Sequence, residues 1–165
     1  MTSKKEIFSV QKAEDSAGFL IWQVTSLWQR SLNKILKKYK LTHAQFVVLA
    51  SSAWLGRNSS HVTQAQIATY AKMDKMLVSN VVRMLEKKKL ITRFESKKDT
   101  RAKLVVLTPA GFKTLTPALN EVENFDRQFF GKLGKNLKNF NSELIKLIEE
   151  TRYEQIFYRS CLART

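Results

Sequence analysis

Residues 63–93, TQAQIATYAKMDKMLVSNVVRMLEKKKLITR, decide the fold of this chain. Thr63 and Gln66 have the spacing of a capping box, which predicts the start of a short helix. Asp74 predicts a second start, because its carboxylate can accept hydrogen bonds from the first backbone N–H groups of a helix. The following apolar residues recur at three- and four-residue spacing, which predicts one buried helix face: Leu77, Val78, Val81, Val82 and Leu85. The opposite face carries Lys75, Met76, Ser79, Asn80, Arg83 and Lys87.

The same signals occur upstream of this stretch. Thr42 and Gln45 form another capping box ahead of apolar residues 46–55, and Gly56 predicts the end of that helix. Before it, apolar side chains recur with helical spacing between residues 19 and 39, which predicts a long amphipathic helix ending near residue 40. Residues 1–14 lack such a period and are expected to form a loose arm.

Downstream, the helical spacing stops at Leu90. Residues 91–95 and 103–107 are β-prone and flank the polar residues 96–102, so they predict a hairpin with a charged tip. The expected fold class is therefore mainly α with a small β-hairpin.

Two further helices are predicted after the hairpin. Thr108 and Pro109 mark a helix start, since proline at the first helical position loses no hydrogen bond. Pro117 lies inside this helix and is expected to kink or break it. The helix then resumes as far as Gly134, and a final helix runs from residue 137 through residue 148 and on toward residue 157.

The chain is strongly basic, and its charge is unevenly distributed. Among its 165 residues are 29 Lys and Arg against 14 Asp and Glu, a formal net charge of +15. Residues 30–113 carry 18 of these basic and 4 of these acidic side chains, a net charge of +14. Such an excess indicates a polyanionic partner, nucleic acid first, with the middle of the chain as its binding region. A generally basic surface without a partner is the alternative.

The composition argues against several other functions. Cys161 is the single cysteine, and His43 and His61 are the only histidines, which leaves little material for a metal site or a catalytic nucleophile with its base. No glycine-rich phosphate loop is present. We therefore expect no enzyme, no cofactor and an inert Cys161. The longest unbroken apolar run, residues 46–50, is too short to span a bilayer, and no signal-like stretch follows the amino terminus, so a cytoplasmic protein is expected.

The order of helix, short helix, helix and charged hairpin between residues 42 and 107 is that of a winged helix-turn-helix, whose recognition helix enters the DNA major groove. On the helix after Asp74, Ser79 and Asn80 can bond base edges, while Lys75 and Arg83 can reach phosphates or guanine. Met76 lies on the same face. An ordinary polar surface helix is the alternative.

The hairpin tip and the preceding short helix supply the remaining candidate contacts. Arg101 can enter a narrow minor groove with Asp99 holding its guanidinium, or the two can form an exposed ion pair with no further role. Thr63 and Gln64 can hold a phosphate through backbone amides at a positive helix end. The other candidates are the lysines of the hairpin, Lys97, Lys98 and Lys103.

Three segments together resemble the multiple antibiotic resistance regulator (MarR) family: LTHAQFVVL at 41–49, the opening stretch at 63–93, and DTRAKLVVLTPAG at 99–111. The resemblance implies one domain over 1–165, with a DNA-binding lobe at 41–109 and a helical dimerisation region at 15–40 and 110–160. It also implies a homodimer and a small-molecule pocket between the interface and the DNA-binding lobe. For that pocket Trp28 and Phe46 are the candidate residues, although a place in the core or the dimer interface is the more economical interpretation of both.

Two positions depart from the family pattern. Lys89 stands where a glycine usually ends the recognition helix, and a left-handed backbone there costs a lysine about 1–2 kcal/mol. Thr100 replaces a frequent second arginine at the hairpin tip, so minor-groove contact rests on Arg101 and neighbouring lysines.

The expected function is that of a transcriptional regulator, a repressor, which binds a pseudo-palindromic operator as a homodimer and is released by a small-molecule effector. The main alternative is an architectural protein that binds any DNA duplex through charge alone. A winged helix that contacts protein or RNA, and a hydrolase or transferase, are weaker alternatives.

Overall fold

The computed structural model describes residues 7, 9–59, 62–95 and 103–162, with only the helical backbone described for 151–162. The chain forms two compact units, Met1–Glu123 and Asn124–Thr165. The part of the chain that is described contains no helix with the length and apolar character needed to cross a membrane.

The helices of the first unit begin where the capping residues predict. Both capping boxes form, Thr42 with Gln45 and Thr63 with Gln66. Asp74 accepts hydrogen bonds from the first backbone N–H groups of the fourth helix, and Ser16 caps the first. The helices are α1 (Ala17–Lys37), α2 (His43–Leu55), α3 (Gln64–Ala71), α4 (Lys75–Lys87) and α5 (Pro109–Phe130).

The predicted hairpin belongs to a three-stranded antiparallel sheet. Its strands β2 (Ile91–Glu95) and β3 (Lys103–Leu107) pair along their whole length, and β1 (Val62–Thr63) pairs with the other edge of β3. The strand order is β1-β3-β2. Sequence periodicity does not reveal β1, since two residues are too few to show an alternation. Because Thr63 is also the cap of α3, the sheet ties the start of α3 to the hairpin.

The core of the first unit lies between its helices and the sheet. Four consecutive helices, α1 to α4, each contribute fully buried aliphatic side chains. The buried face of α4 is the one predicted from its spacing, with one correction. Leu77, predicted to be inside, is 45% exposed, because it lies at the edge of the buried face rather than at its centre. The largest fully buried side chains are Leu32, Leu36, Leu49, Ile67, Leu85, Ile91, Val48, Val78, Val81 and Val82.

Three lysines end helices in the left-handed conformation that glycine usually occupies. Lys40, Lys72 and Lys89 have φ of 55°, 53° and 59°. At each site the next residue, Leu41, Met73 or Leu90, donates its backbone N–H to a carbonyl five residues earlier. This is the 6→1 bond of a Schellman motif, which satisfies a free carbonyl at the helix end. The backbone at Lys89, where the family usually has a glycine, is therefore left-handed.

Gly111 and Thr108 hold the start of α5 against the end of α4. The Thr108 hydroxyl donates to the Lys89 carbonyl at 2.7 Å and accepts from the Gly111 N–H at 3.0 Å. A Cβ added at Gly111 would lie 2.0 Å from the Leu90 carbonyl oxygen. Only glycine therefore permits this close approach.

Pro117 does not break α5, contrary to the sequence-based expectation of a kink or break, since the helix is continuous from Pro109 to Phe130. Proline removes one backbone donor. Thr114 and Thr116 precede Pro117 in the helix, and their hydroxyls donate to carbonyls four residues earlier, those of Ala110 and Phe112.

The second unit contains the end of α5, a 3₁₀ segment (Gly131–Asn136) and α6 (Leu137–Leu162). The sequence predicts that the helix resuming after Pro117 runs as far as Gly134, but α5 ends at Phe130 and a 3₁₀ segment follows. The Gly134 φ of 54° marks a change of direction. Neighbouring aromatic rings pack here, with centroids 5.0–6.4 Å apart: Phe125 on Phe129, Phe129 on Phe130, and Phe130 on Phe140. The ring contacts join the two helices of this unit.

Candidate nucleic-acid interface

The outer face of α4 carries a straight stripe of exposed side chains, Met76, Asn80, Arg83 and Lys87. Their spacing of four, three and four residues places them one above another along the helix. The buried residues of α4 lie on the opposite side, so the stripe takes no part in the core. Two more predicted contact residues flank it, Lys75 exposed and Ser79 half-buried. Lys87 is not among the predicted contact residues, although its four-residue spacing from Arg83 could have identified it.

The first turn of α4 is fixed by its cap. One Asp74 carboxylate oxygen accepts from the Met76 N–H at 2.8 Å and the Leu77 N–H at 3.0 Å. Further along α4, Nη1 of Arg83 donates to the side-chain oxygen Oδ1 of Asn80 at 3.5 Å. That contact directs the side-chain oxygen of Asn80 toward Arg83. The Asn80 amide therefore keeps both of its N–H groups for another acceptor.

Thr63 and Gln64 lie at the junction of β1 and α3. The Thr63 hydroxyl is used within its capping box, where it accepts from the Gln66 N–H at 3.1 Å. Gln64 is half-buried, and its side-chain nitrogen is buried without a hydrogen-bond partner among the described residues. A phosphate at this helix end would thus meet backbone amides rather than the Thr63 hydroxyl.

The wing consists of β2, β3 and the residues between them, and its strand β2 is held to α4 by an ion pair. Glu86 of α4 accepts from Arg93 of β2, with Nη2 at 2.5 Å and Nε at 2.7 Å. The hydrogen bond from Arg93 lowers the pKa of the Glu86 carboxyl below its ordinary value. Because the pair joins β2 directly to α4, it couples the orientation of this strand to that of α4.

Four of the predicted wing-tip residues, Lys97, Lys98, Asp99 and Arg101, lie outside the described residues. The fifth, Lys103, is at the base of the loop and forms an ion pair with Glu95, its partner across the two strands. The hydrogen bond that the Lys103 ammonium donates to Glu95 lowers the pKa of the Glu95 carboxyl below its ordinary value. Lys103 therefore has a neighbouring carboxylate to displace before it can bind a phosphate.

Lys88 joins three helix ends, and the sequence does not single it out. Its ammonium donates to the Lys40 carbonyl at 2.5 Å and to the Gln45 side-chain oxygen at 2.8 Å. Gln45 is 3% exposed, and the same oxygen accepts the Thr42 N–H of the capping box. The end of α1, the start of α2 and the end of α4 are thus held at one point. Nothing local predicts this, because the partners are more than forty residues apart in sequence.

The two residues predicted for a ligand pocket have different environments. Phe46 is 7% exposed and belongs to the core. Trp28 is half-buried, with its ring edge-on to that of His43 at 5.2 Å between centroids. Of the two, Trp28 therefore has the more accessible ring. In the described part of the chain, no three His, Cys, Asp or Glu residues converge on a point where a metal ion could bind.

The sequence of this winged helix-turn-helix matches known regulators. A profile of the MarR family matches residues 41–103. An uncharacterized HTH-type transcriptional regulator of Bacillus subtilis, YdcH, is 42% identical over 134 residues, which are 81% of this chain and 90% of the relative. This chain belongs to the MarR family. The MarR assignment and the mainly α, winged-helix fold expected from the sequence are thereby confirmed. The family and these relatives are transcriptional regulators, not enzymes.

Solved structures share the MarR fold over most of this chain. CouR from Rhodococcus jostii, bound to p-coumaroyl-CoA, aligns with a TM-score of 0.73 and 23% identity over 84% of this chain and 95% of CouR. MepR from Staphylococcus aureus, in complex with DNA, aligns with a TM-score of 0.73 and 22% identity over 85% of this chain and 99% of MepR. At such identities the likeness concerns the fold alone.

Proposed function

We propose that this MarR-family regulator recognises a specific double-stranded DNA operator with α4. The observation that carries the proposal is the exposed stripe of Met76, Asn80, Arg83 and Lys87 on a helix whose other face is buried. Such a stripe offers both amide donors for base edges and cations for phosphates or guanine. The DNA complex of the structural neighbour MepR supports a DNA-binding role for this fold.

The contact residues follow from this placement. We assign contacts with the DNA bases to the stripe and to Ser79. Contacts with the DNA phosphates are assigned to Lys75, which flanks the stripe, and to the start of α3. The wing tip is assigned to the minor groove. The complete set is Thr63, Gln64, Lys75, Met76, Ser79, Asn80, Arg83, Lys97, Lys98, Asp99, Arg101 and Lys103, to which we add Lys87.

The regulator acts as a homodimer on a pseudo-palindromic site, whose half-sites lie one DNA turn, about 34–36 Å, apart. Support comes from the first half of α1, which in a single chain exposes many large apolar side chains, with Trp22 64% exposed. Patches of this kind on soluble proteins are typical of interaction sites. We assign dimerisation to residues 15–40 and 110–160, within a single functional domain over 1–165, and DNA binding to 41–109.

The direction of regulation is repression, relieved by a small-molecule effector. A repressor needs only to occupy its operator, and the stripe on α4 offers contacts for doing so. The p-coumaroyl-CoA complex of CouR supports an effector site in this fold. We assign Trp28, the more exposed of the two candidates, and the buried Phe46 to that site. Because transcription takes place at the chromosome, the protein is assigned to the cytoplasm.

Selection of preferred duplexes from a random pool tests the proposal. The expected winners contain an inverted repeat, and the protein binds them at least about 10³-fold more tightly than unrelated duplexes. Asn80→Ala should lower this preference, while Lys12→Ala, which changes an exposed lysine ahead of α1, should leave it unchanged. A protein that binds all duplexes equally and loses affinity uniformly with salt would instead be the architectural alternative.

A further inference from the structure

Met76 is an apolar side chain in a place where stability does not require one. At 68% exposure it is the most exposed large apolar residue within the described helices, and it begins the stripe on α4. The core lies on the other side of the helix, formed by residues such as Val78 and Leu85. Met76 therefore contributes little to folding, and its exposure calls for another explanation.

The backbone at Met76 is held in position. The Asp74 carboxylate accepts the Met76 N–H at 2.8 Å, which fixes the first helical turn relative to the rest of α4. A methionine side chain on this fixed backbone is long and adaptable. The side chain can thus extend beyond the helix surface from a defined starting point.

The surroundings of Met76 indicate the chemistry of its partner. Lys75 precedes it, and Asn80, Arg83 and Lys87 continue the stripe, so Met76 is the apolar member of a stripe whose other members are polar or cationic. The exposed Leu77 and Met84 lie beside the stripe, nearer the buried face of α4. The major groove of DNA is the complementary surface: it is anionic and rich in hydrogen-bonding groups, and its apolar feature is the 5-methyl group of thymine. A protein partner with an apolar patch would not match the cations on this face.

We propose that Met76 is a specificity-determining residue that contacts the 5-methyl group of a thymine in each operator half-site. The inference rests on the proposed function and adds the class of base that this position selects. Met76 and Asn80 are separated by about 6 Å along the helix axis, and successive base pairs by about 3.4 Å. The thymine should therefore lie within about two base pairs of the base that Asn80 contacts.

Replacing thymine by deoxyuridine tests this contact directly, because only the methyl group is removed. In the best duplex selected from a random pool by the full-length protein, each thymine is replaced singly, and affinity is measured by fluorescence anisotropy at constant salt. For the wild-type protein, one position per half-site should weaken binding about fourfold, as expected when one buried methyl group is removed. Met76→Ala should bind the thymine and deoxyuridine duplexes equally at that position.

Leu77→Ala is the matched control, since Leu77 is also apolar and exposed in the same turn but lies about 100° around the helix. This variant should keep the fourfold penalty of the wild type. Thermal melts should show both variants folded at the temperature of the binding assay, which separates a change in DNA recognition from a failure to fold.

Three results would overturn the inference alone: no thymine position that matters, a penalty that survives Met76→Ala, or a penalty abolished only by Leu77→Ala. A pool that yields no preferred duplex would overturn the proposed function, and this inference with it.

Discussion

Replacing Lys89 by glycine should stabilise the protein. Lys89 has φ of 59°, which costs a non-glycine residue about 1–2 kcal/mol. Glycine removes this strain but adds freedom to the unfolded chain, which offsets about 0.5–1 kcal/mol of the gain. The bonds that end α4 use backbone atoms and remain: the Lys89 N–H to the Glu86 carbonyl at 2.8 Å and the Leu90 N–H to the Leu85 carbonyl at 3.0 Å. We therefore expect the free energy of unfolding to rise by a net amount of about 1 kcal/mol.

Urea unfolding followed by circular dichroism measures this gain, which should also raise Tm by about 2–4 °C in a chain of this length. Two control substitutions each remove one lysine charge from the end of α4. Lys87→Gly places glycine in the last turn of α4 and should destabilise by about 0.5–1 kcal/mol. Lys89→Ala removes the ammonium but keeps the Cβ, so it should give little of the gain. If Lys89→Ala stabilised as much as Lys89→Gly, charge repulsion rather than backbone strain would be the cause, and the reasoning would be refuted.

Three other substitutions test separate parts of the structure. Gly111→Ala should destabilise by about 1–3 kcal/mol in the same unfolding assay, because its Cβ would overlap a backbone carbonyl. Gly131→Ala is the control: the space around the added carbon is open, so its stability should stay within about 0.5 kcal/mol of the wild type. Glu86→Gln should cost at most about 1 kcal/mol at pH 7 and less at pH 3. The sign follows from the pKa of Glu86, which is lower in the folded state than its ordinary value of 4.5, so its stabilisation is present above that value and disappears as the pH falls through the folded pKa. An equal cost at both pH values would contradict this. Lys87→Gln should reduce the slope of log affinity against log salt by about 0.9 for each phosphate that the Lys87 ammonium neutralises in the wild type. The slope is measured on the selected duplex between about 50 and 200 mM salt. An unchanged slope would show that Lys87 does not contact the DNA.

The helix boundaries of the first unit were predictable because local chemistry sets them. Thr42, Thr63 and Asp74 each satisfy backbone donors within three residues, so the relevant partners are visible in the sequence. The helix ends at Lys40 and Lys72 were less visible, since glycine is absent there. A basic residue followed by an apolar one, as in Lys40-Leu41, is the signal that recurs at these left-handed ends.

What the sequence could not predict depends on distant partners. The contacts of Lys88 with the Lys40 carbonyl and Gln45, and the pairing of β1 with β3, join residues more than forty positions apart. Periodicity also misplaced Leu77, because a helix face has no sharp edge and tertiary packing decides which border residues are covered. The predicted contact residues on α4 do share one face, and Lys87 lies on that face as the sequence periodicity indicates.

The separation of the two faces of α4 affects how this protein can diverge. Val78, Val81, Val82 and Leu85 support the lobe, while the outward side chains take almost no part in it. Changes among the latter can therefore accumulate after gene duplication without a penalty in folding. Descendants could acquire new target sites while keeping the same scaffold, so similarity of core sequence between two such paralogues is a poor guide to shared target genes.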